Sequence, residues 1–282
     1  MLKIAIPNKG SLSEDSIALF SDAGYRVKRY SRELKICDRD NQIEFIFLRP
    51  KDIAVYVGNG TLDLGVTGRD LVTDSEAEVE EICALGYGKS DFYYAVPKDS
   101  DLTPENFGGK RIATSYPNLV ALDLHDRKVK ARVIKLDGAI EISISLGVAD
   151  AIADVVQTGR TLVEAGLKTV GDAVMHSEAV LIGRDLADTE RPEVKSVIER
   201  IKGIVVARDY VMIEYDVSEE NLKKACDITP GIESPTVAPL SKKGWFAVKA
   251  MAKKKGINSV MDDLCVVGCK GIIVSDIRTC RI

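Results

Sequence analysis

No window of the 282-residue sequence approaches the roughly 18 consecutive apolar residues of a membrane span. The opening Met1-Leu2-Lys3-Ile4-Ala5-Ile6-Pro7 lacks the longer apolar stretch and small-residue cleavage site of a secretory signal. A cytoplasmic protein with no membrane partner is therefore expected. Charge of one sign forms no long block: 39 Lys and Arg stand against 43 Asp and Glu, a net of −4. The densest basic run, Lys253-Lys254-Lys255, reads as solvated surface, so no nucleic-acid partner is expected. Histidine is scarce, with His125 and His176 alone; neither is read as part of a Ser-His-Asp or Cys-His arrangement, and no general base is assigned. The cysteines Cys37, Cys83, Cys226, Cys265, Cys269 and Cys280 are scattered, which in a long chain without a secretion signal points to free thiols. Cys265 and Cys269 would share a helix face, but no second pair or nearby histidine completes a zinc site. Internal repeats and low-complexity linkers are also lacking.

What is there suits a soluble globular chain: 45% hydrophobic and 29% charged residues, enough for a sizeable core. At roughly 100–200 residues per domain, the length allows two domains or a small three. Short apolar runs at Lys3–Pro7, Ile43–Leu48 and Leu62–Thr67 read as strands. Helices are expected between them, one capped by Ser11 and Glu14 and ending near Gly24, one over Lys51–Asn59 and stopped by Gly60. That alternation is an α/β pattern with parallel strands. Phe92–Pro97 crosses into a second lobe, with strands at Lys110–Thr114, Arg132–Leu136 and Ala151–Val156 and helices after Ser115-Tyr116-Pro117-Asn118, over Ala139–Leu146 and over Thr161–Ala165. Ala179–Gly183 and a helix over Glu193–Val206 return to the first. The expected division is 1–90 with 179–208 as lobe I, 91–178 as lobe II and 209–282 as a third part. In the last, strands at Val211–Tyr215, Val237–Leu240, Phe246–Ala250 and Gly271–Ser275 alternate with helices over Ser218–Cys226, with Ser218 as N-cap, and Ile257–Val267. The order βαββαβ is ferredoxin-like. Two lobes crossed twice make a cleft, and ligands in such folds sit at the carboxyl ends of strands.

The chemistry is densest at Asp154-Val155-Val156-Gln157-Thr158-Gly159-Arg160-Thr161-Leu162. A buried strand delivers an acid to its end, a glycine turn follows, and a helix starts at once. Unsatisfied amides at a helix start attract anions, Thr158 and Thr161 add hydroxyl donors, and Gly159 lets the backbone approach closely. Asp154 is placed to accept hydrogen bonds from sugar hydroxyls. Together they suit a phosphorylated ribose. Each residue type is also common as an ordinary turn or cap.

The longer run Glu141, Leu146-Gly147-Val148-Ala149-Asp150, Ile152-Ala153-Asp154 and Thr158-Gly159-Arg160-Thr161-Leu162 resembles the signature of the ATP phosphoribosyltransferases. Ile6-Pro7-Asn8-Lys9-Gly10, Leu48-Arg49-Pro50-Lys51-Asp52-Ile53, Asp63–Asp70 and Ile112–Asn118 match the same family, so the resemblance spans essentially the whole chain. It departs at Ser11, where many members carry Arg. For the long type, the resemblance implies a two-lobed, periplasmic-binding-protein-like α/β catalytic region followed by a ferredoxin-like, ACT-like regulatory domain. It implies transfer of the phosphoribosyl group of PRPP to N1 of ATP, with pyrophosphate leaving and Mg²⁺ as cofactor, at the start of histidine synthesis. Glu141, Asp154, Thr158, Gly159, Arg160, Thr161 and Leu162 would then serve PRPP. Lys9, Arg49 and Lys51 would meet the phosphate charge, Arg49 ahead of Lys51 because a guanidinium grips phosphate oxygens in a fork. Asp70, Ser115 and Tyr116 would border ATP, with Tyr116 stacking on adenine. Protein ligands of the metal are not assigned.

By the same resemblance, free histidine inhibits through the third part, with Asp216, Ile232, Ser234, Thr236 and Gly271 as its candidate site. Gly271 stands where relatives often have Ala. A homo-oligomer, dimer to hexamer, is implied, with no separate regulatory subunit. Three other readings stay open. One is a salvage phosphoribosyltransferase, although those carry two adjacent acids before the Thr-Gly loop and Ala153 and Val155 flank Asp154 here. The others are a two-lobed solute-binding protein and a non-catalytic amino-acid sensor.

Overall fold

A computed structural model describes residues 1–29, 33–156 and 159–281. The chain forms two compact units, Met1–Ser21 with Tyr25–Ile198, and Asp22–Gly24 with Glu199–Ile282. The first opens with β1 (Leu2–Pro7), α1 (Ser11–Asp22), β2 (Lys35–Asp38), β3 (Ile43–Leu48), α2 (Pro50–Gly58), β4 (Leu64–Gly68), α3 (Arg69–Ser75) and β5 (Glu80–Ala84). It continues through β6 (Ser90–Pro97), β7 (Arg111–Thr114), α4 (Pro117–Asp126), β8 (Arg132–Lys135), β9 (Ala151–Val156), α5 (Arg160–Glu164) and β10 (Leu167–Ser177). β11 (Ala179–Gly183), α6 (Leu186–Thr189) and α7 (Pro192–Asp209) follow, α7 running on into the second unit.

Two sheets result, one per lobe. The first has the order β2-β3-β1-β4-β11-β5 and the second β10-β6-β9-β7-β8. In the first, β1 is parallel to β3 and β4, while β11 enters antiparallel between β4 and β5. In the second, β7 is parallel to both β8 and β9. β4 and β11 are buried at every position, as central strands covered on both faces require; the one polar side chain, Thr67, donates to the Pro50 carbonyl. Ile53, Ala54 and Val57 of α2 pack on Ala5, Val180 and Ile182 in lobe I. Leu119, Val120 and Leu124 of α4 pack on Phe92, Tyr94, Ile112 and Ala153 in lobe II.

Local expectations fail where backbone chemistry overrides pattern. Ser11 does not cap α1: the Ser13 and Glu14 amides donate to the Gly10 carbonyl, so Gly10 holds the cap position. No α-helix covers Ala139–Leu146. Only a 3-10 turn at Ile140–Ser143 forms, entered through Ala139 in the left-handed region, and Gly147 follows with φ 71°. β2, β5 and β10 were not anticipated; β10 carries a bulge between Val170 and Met175 that breaks its period.

The second unit comprises β12 (Tyr210–Ser218), α8 (Leu222–Ile228), β13 (Thr236–Pro239), β14 (Trp245–Lys253), α9 (Ile257–Val267) and β15 (Lys270–Asp276). The order β13-β14-β12-β15 with antiparallel neighbours is the ferredoxin-like arrangement. Ala225 and Leu264 cover Ile213, Tyr215, Val217, Val248 and Ala250 on one sheet face. Ser218 ends β12, and Asn221, not Ser218, holds the N-cap position of α8. Among the described residues no helix is long and apolar enough to cross a membrane.

Candidate active site

Parallel pairing places the carboxyl ends of β3, β1 and β4 side by side. Pro7 lies opposite Leu48, and the Asn8 amide donates to the Leu48 carbonyl at 2.8 Å. Exposed Lys9 and Arg49 therefore leave neighbouring strands in the same direction. Arg49 is the N-cap residue of α2 and its side chain does not serve as the cap. Lys51, in the first turn of α2, stands 3.8 Å from Asp137, which follows β8 in lobe II. A further cation at this end of β1 escaped the sequence reading. Arg29 donates through Nη1 to the Asn8 carbonyl at 2.8 Å, and its guanidinium lies 4.6 Å from the Phe47 ring centroid. Arg29 Nε and Asn8 Oδ1 are buried without a hydrogen-bond partner among the described residues, a cost of roughly 1–3 kcal/mol each that a bound polar group would relieve. No periodicity in that stretch flags Arg29.

At the end of β4, the fold turns sharply into α3 and buries Asp70 to 6% exposure. A Cβ at Gly68 would run into Asp70 Oδ1, so this glycine makes room for the inward carboxylate. Ser177, at the end of β10, donates from Oγ to Asp70 Oδ1 at 2.7 Å and accepts from the Asp70 amide at 3.1 Å. Tyr116 follows β7 and packs edge-on against Phe92 at 5.2 Å. Burial, and then the neighbouring Asp70 charge, hold its phenol protonated well above the ordinary value. Ser115 beside it is half-buried. Asp74, on α3, accepts at Oδ1 from the Asn118 and Leu119 amides at 2.9 and 3.1 Å, and Asn118 Nδ2 donates to its carbonyl at 2.7 Å. An acid of lobe I thus caps the α4 helix of lobe II. Neither Asp74 nor Ser177 carries a local motif; their partners are 44 and 107 residues away in the chain.

Across the cleft, β9 brings Asp154 to the same region. Its Oδ1 accepts from the Val155 amide at 2.8 Å. Burial is the main reason its carboxyl is pushed up to about 6; the Val155 hydrogen bond pulls it down, and the Glu141 and Asp70 charges push it further up. Glu141 sits half-buried in the 3-10 turn. Gly159 adopts φ 70°, and among the described residues only Val156 Cγ1 comes near its missing side chain, leaving the backbone approachable. Leu162 anchors the turn in the core. Arg160 and Thr161 are exposed, and Arg160 pairs with Glu164 at 2.8 Å. α5 has only five residues, so anion binding there would rest on individual amides and hydroxyls more than on a macrodipole. Thr158 lies outside the described residues.

Asp70 thus acts on both Tyr116 and Asp154, and Glu141 on Asp154, while Lys9 and Arg49 follow the ends of β1 and β3. No three His, Cys, Asp or Glu among the described residues are close enough to hold a metal ion.

In the second unit, Asp216 is adjacent to Gly271, whose absent Cβ would lie 4.0 Å from Asp216 Oδ2. Gly271 has φ 59°. Ile232, Ser234 and Thr236 are exposed on the loop and first residue of β13. β14 separates β13 from β12, which sets Thr236 roughly 10 Å from the Asp216 strand, two strand spacings away. A cavity of about 370 Å³ beside the loop is lined by Thr229, Pro230 and Gly231 with Tyr210, Met251 and Lys253.

A family model described as ATP phosphoribosyltransferase matches residues 49–203, and one described as the HisG C-terminal domain matches 207–279. The chain is 57% identical over 282 residues, all of both sequences, to an ATP phosphoribosyltransferase of Salinibacter ruber. It is 54% identical, again over the full length of both, to one of Corynebacterium jeikeium. Among solved structures, a chain of the ATP phosphoribosyl transferase (HisG:HisZ) complex from Thermotoga maritima is similar with TM-score 0.65 and 30% identity, covering 74% of this chain and 100% of that one.

Proposed function

Because the chain belongs to the ATP phosphoribosyltransferase family, and is therefore a pentosyltransferase of the first step of histidine biosynthesis, we propose that it joins N1 of ATP to C1′ of PRPP with inversion. The N1 lone pair forms the new C1′–N bond while the C1′–O bond breaks, and its electron pair leaves with pyrophosphate. A transition state of oxocarbenium character needs positioning and charge neutralisation more than covalent help.

The observation that carries this reading is the buried Asp154 on β9, within the electrostatic reach of Glu141 in the 3-10 turn and of Asp70 at the start of α3. In this scheme Asp154 and Glu141 accept hydrogen bonds from the ribose hydroxyls or from water on the metal. Thr158, Gly159, Arg160 and Thr161 hold the 5′-phosphate, with Leu162 fixing the turn. Arg49, Lys9 and Lys51 receive the leaving pyrophosphate and the triphosphate. Asp70, Ser115 and Tyr116 border the adenine. Mg²⁺, arriving with PRPP, would offset phosphate charge beside Asp154 and Glu141.

Histidine is proposed to inhibit through the second unit, at Asp216, Ile232, Ser234, Thr236 and Gly271. The Thermotoga chain, solved in a complex with HisZ, is covered completely while about a quarter of the present chain lies beyond it. This supports regulation built into the chain, with no separate regulatory subunit. The working form is proposed to be a cytoplasmic homo-oligomer, dimer to hexamer.

Purified protein mixed with ATP, PRPP, Mg²⁺ and pyrophosphatase is expected to show the near-ultraviolet absorbance rise of an N1-substituted adenine, dependent on PRPP. A folded protein giving no rise with both substrates and metal would remove this reading.

A further inference from the structure

The crossing from β10 back to β11 runs residue by residue along the turn from β4 into α3. Ala179 pairs with Gly68, the Glu178 carbonyl accepts from the Arg69 amide at 3.0 Å, and Ser177 meets Asp70. On its other side Ser177 lies in register opposite Ser90 of β6. Its backbone is therefore placed by both sheets of the first unit.

Ser177 and Asp70 are 5% and 6% exposed. α3 has no side-chain cap at Gly68. One half of the contact, the Asp70 amide donating to Ser177 Oγ at 3.1 Å, does what such a cap would do. The other half goes further. Ser177 donates to Asp70 Oδ1 at 2.7 Å, and Oδ1 lies in the space that a Cβ at Gly68 would fill. A hydrogen bond to an ionised carboxylate is among the stronger ones, and this one fixes a single oxygen. Oδ2 is left for a donor from the cleft. Asp70 faces the cleft, since its charge acts on the Tyr116 phenol and on the Asp154 carboxyl.

An ionised carboxylate only accepts hydrogen bonds. The 6-amino group is the N–H donor that an adenine ring carries. A 6-oxo purine would set acceptor against acceptor and leave the buried carboxylate unpaired, which is costly. The match improves during the reaction proposed above. As the N1 lone pair bonds to C1′ and pyrophosphate leaves, the ring becomes a cation that shares its charge with the 6-amino nitrogen, and both hydrogens stay on that nitrogen. A fixed carboxylate beside developing positive charge stabilises it more in a buried site than in water.

We propose that Ser177 is a positioning residue for the nucleotide: by holding Asp70 Oδ1 it aims Oδ2 at the 6-amino group of adenine, and so sets the preference for a 6-amino purine. The inference rests on the reading of the reaction given above and deepens it.

The test compares ATP with purine riboside triphosphate, which has hydrogen in place of the 6-amino group, on wild type and Ser177→Ala. Ser177→Ala is expected to lower kcat/KM for ATP about tenfold while KM for PRPP stays within about twofold. Purine riboside triphosphate, used as an inhibitor competing with ATP, is expected to keep its inhibition constant within about twofold, because it makes no bond to Asp70 that could be lost. Should Ser177→Ala fail to fold, Ser177→Cys keeps a weak donor of similar shape and is expected to show the same difference between the nucleotides at smaller amplitude. An unchanged kcat/KM for ATP would overturn the proposal. So would an equal loss for both nucleotides, which would leave Ser177 as a cap of α3 and nothing more. A wild type that forms no product would instead remove the reading of the reaction. The two nucleotides are then compared by isothermal titration, where Ser177→Ala is expected to weaken ATP alone and an equal weakening of both overturns the positioning role.

Discussion

Burying Asp154 beside Glu141 and Asp70 costs stability at neutral pH. Its folded value of about 6 lies above the ordinary 3.8, so folding favours the protonated form. The contribution is fully present below about pH 3.8 and is lost as pH rises through about 6. Once ionised, the folded protein bears up to about 3 kcal/mol of penalty from this group. Asp154→Asn is expected to raise the melting temperature by several degrees at pH 7.5 and to leave it unchanged near pH 4, while weakening PRPP binding at least tenfold. Thermal melts at the two pH values and a PRPP titration check this; equal melting at pH 7.5 would show that the carboxyl is not raised. Gly68 is the second residue on which the site turns. Gly68→Ala pushes a methyl into Asp70 Oδ1 and is expected to raise KM for ATP about tenfold, the equivalent of a 1.4 kcal/mol loss, with little change for PRPP. Steady-state kinetics with each substrate varied separates the two.

Among elements, α4 depends on another lobe for its start. Its own N-cap residue, Tyr116, provides no side-chain cap, and Asp74 of α3 supplies the acceptor. Asp74→Ala is expected to cost about 0.5–2 kcal/mol, the usual worth of an N-cap. It also removes the acceptor of the Asn118 and Leu119 amides next to Tyr116, so KM for ATP is expected to rise together with the loss in stability. Denaturant unfolding and kinetics on the same preparation test the pair; a stability loss without a KM change would make Asp74 a cap only. Strands that alternate, such as β3 and β12, or are buried throughout, such as β4 and β11, were legible because those patterns are local. The 3-10 turn at Ile140–Ser143 was not, since its apolar spacing imitates a helix and the left-handed Ala139 that interrupts it leaves no mark in composition. β5 and β10 were missed because an acidic edge and a bulged strand both lack alternation.

For the whole molecule, the proposed reaction and its proposed inhibitor bind in different units of the chain. Histidine is then expected to lower the rate without competing with ATP, as a coupling between two sites. Removing residues from Tyr210 onward is expected to keep the absorbance assay positive and to abolish histidine sensitivity. Inhibition retained in that folded truncation would place the inhibitor site in the first unit. What the sequence determined by itself was whatever depends on neighbours along the chain: the acid, glycine and turn around Asp154–Leu162, the alternation of strands and helices, the ferredoxin-like order after Tyr210, and a family resemblance that full-length relatives bear out. What only the tertiary structure decided was pairing at a distance. The Asp70–Ser177 hydrogen bond, the Asp74 cap on α4, and the Arg29 hydrogen bond to Asn8 each join residues far apart in sequence. Such contacts come from strand order and sheet register, which no local pattern encodes.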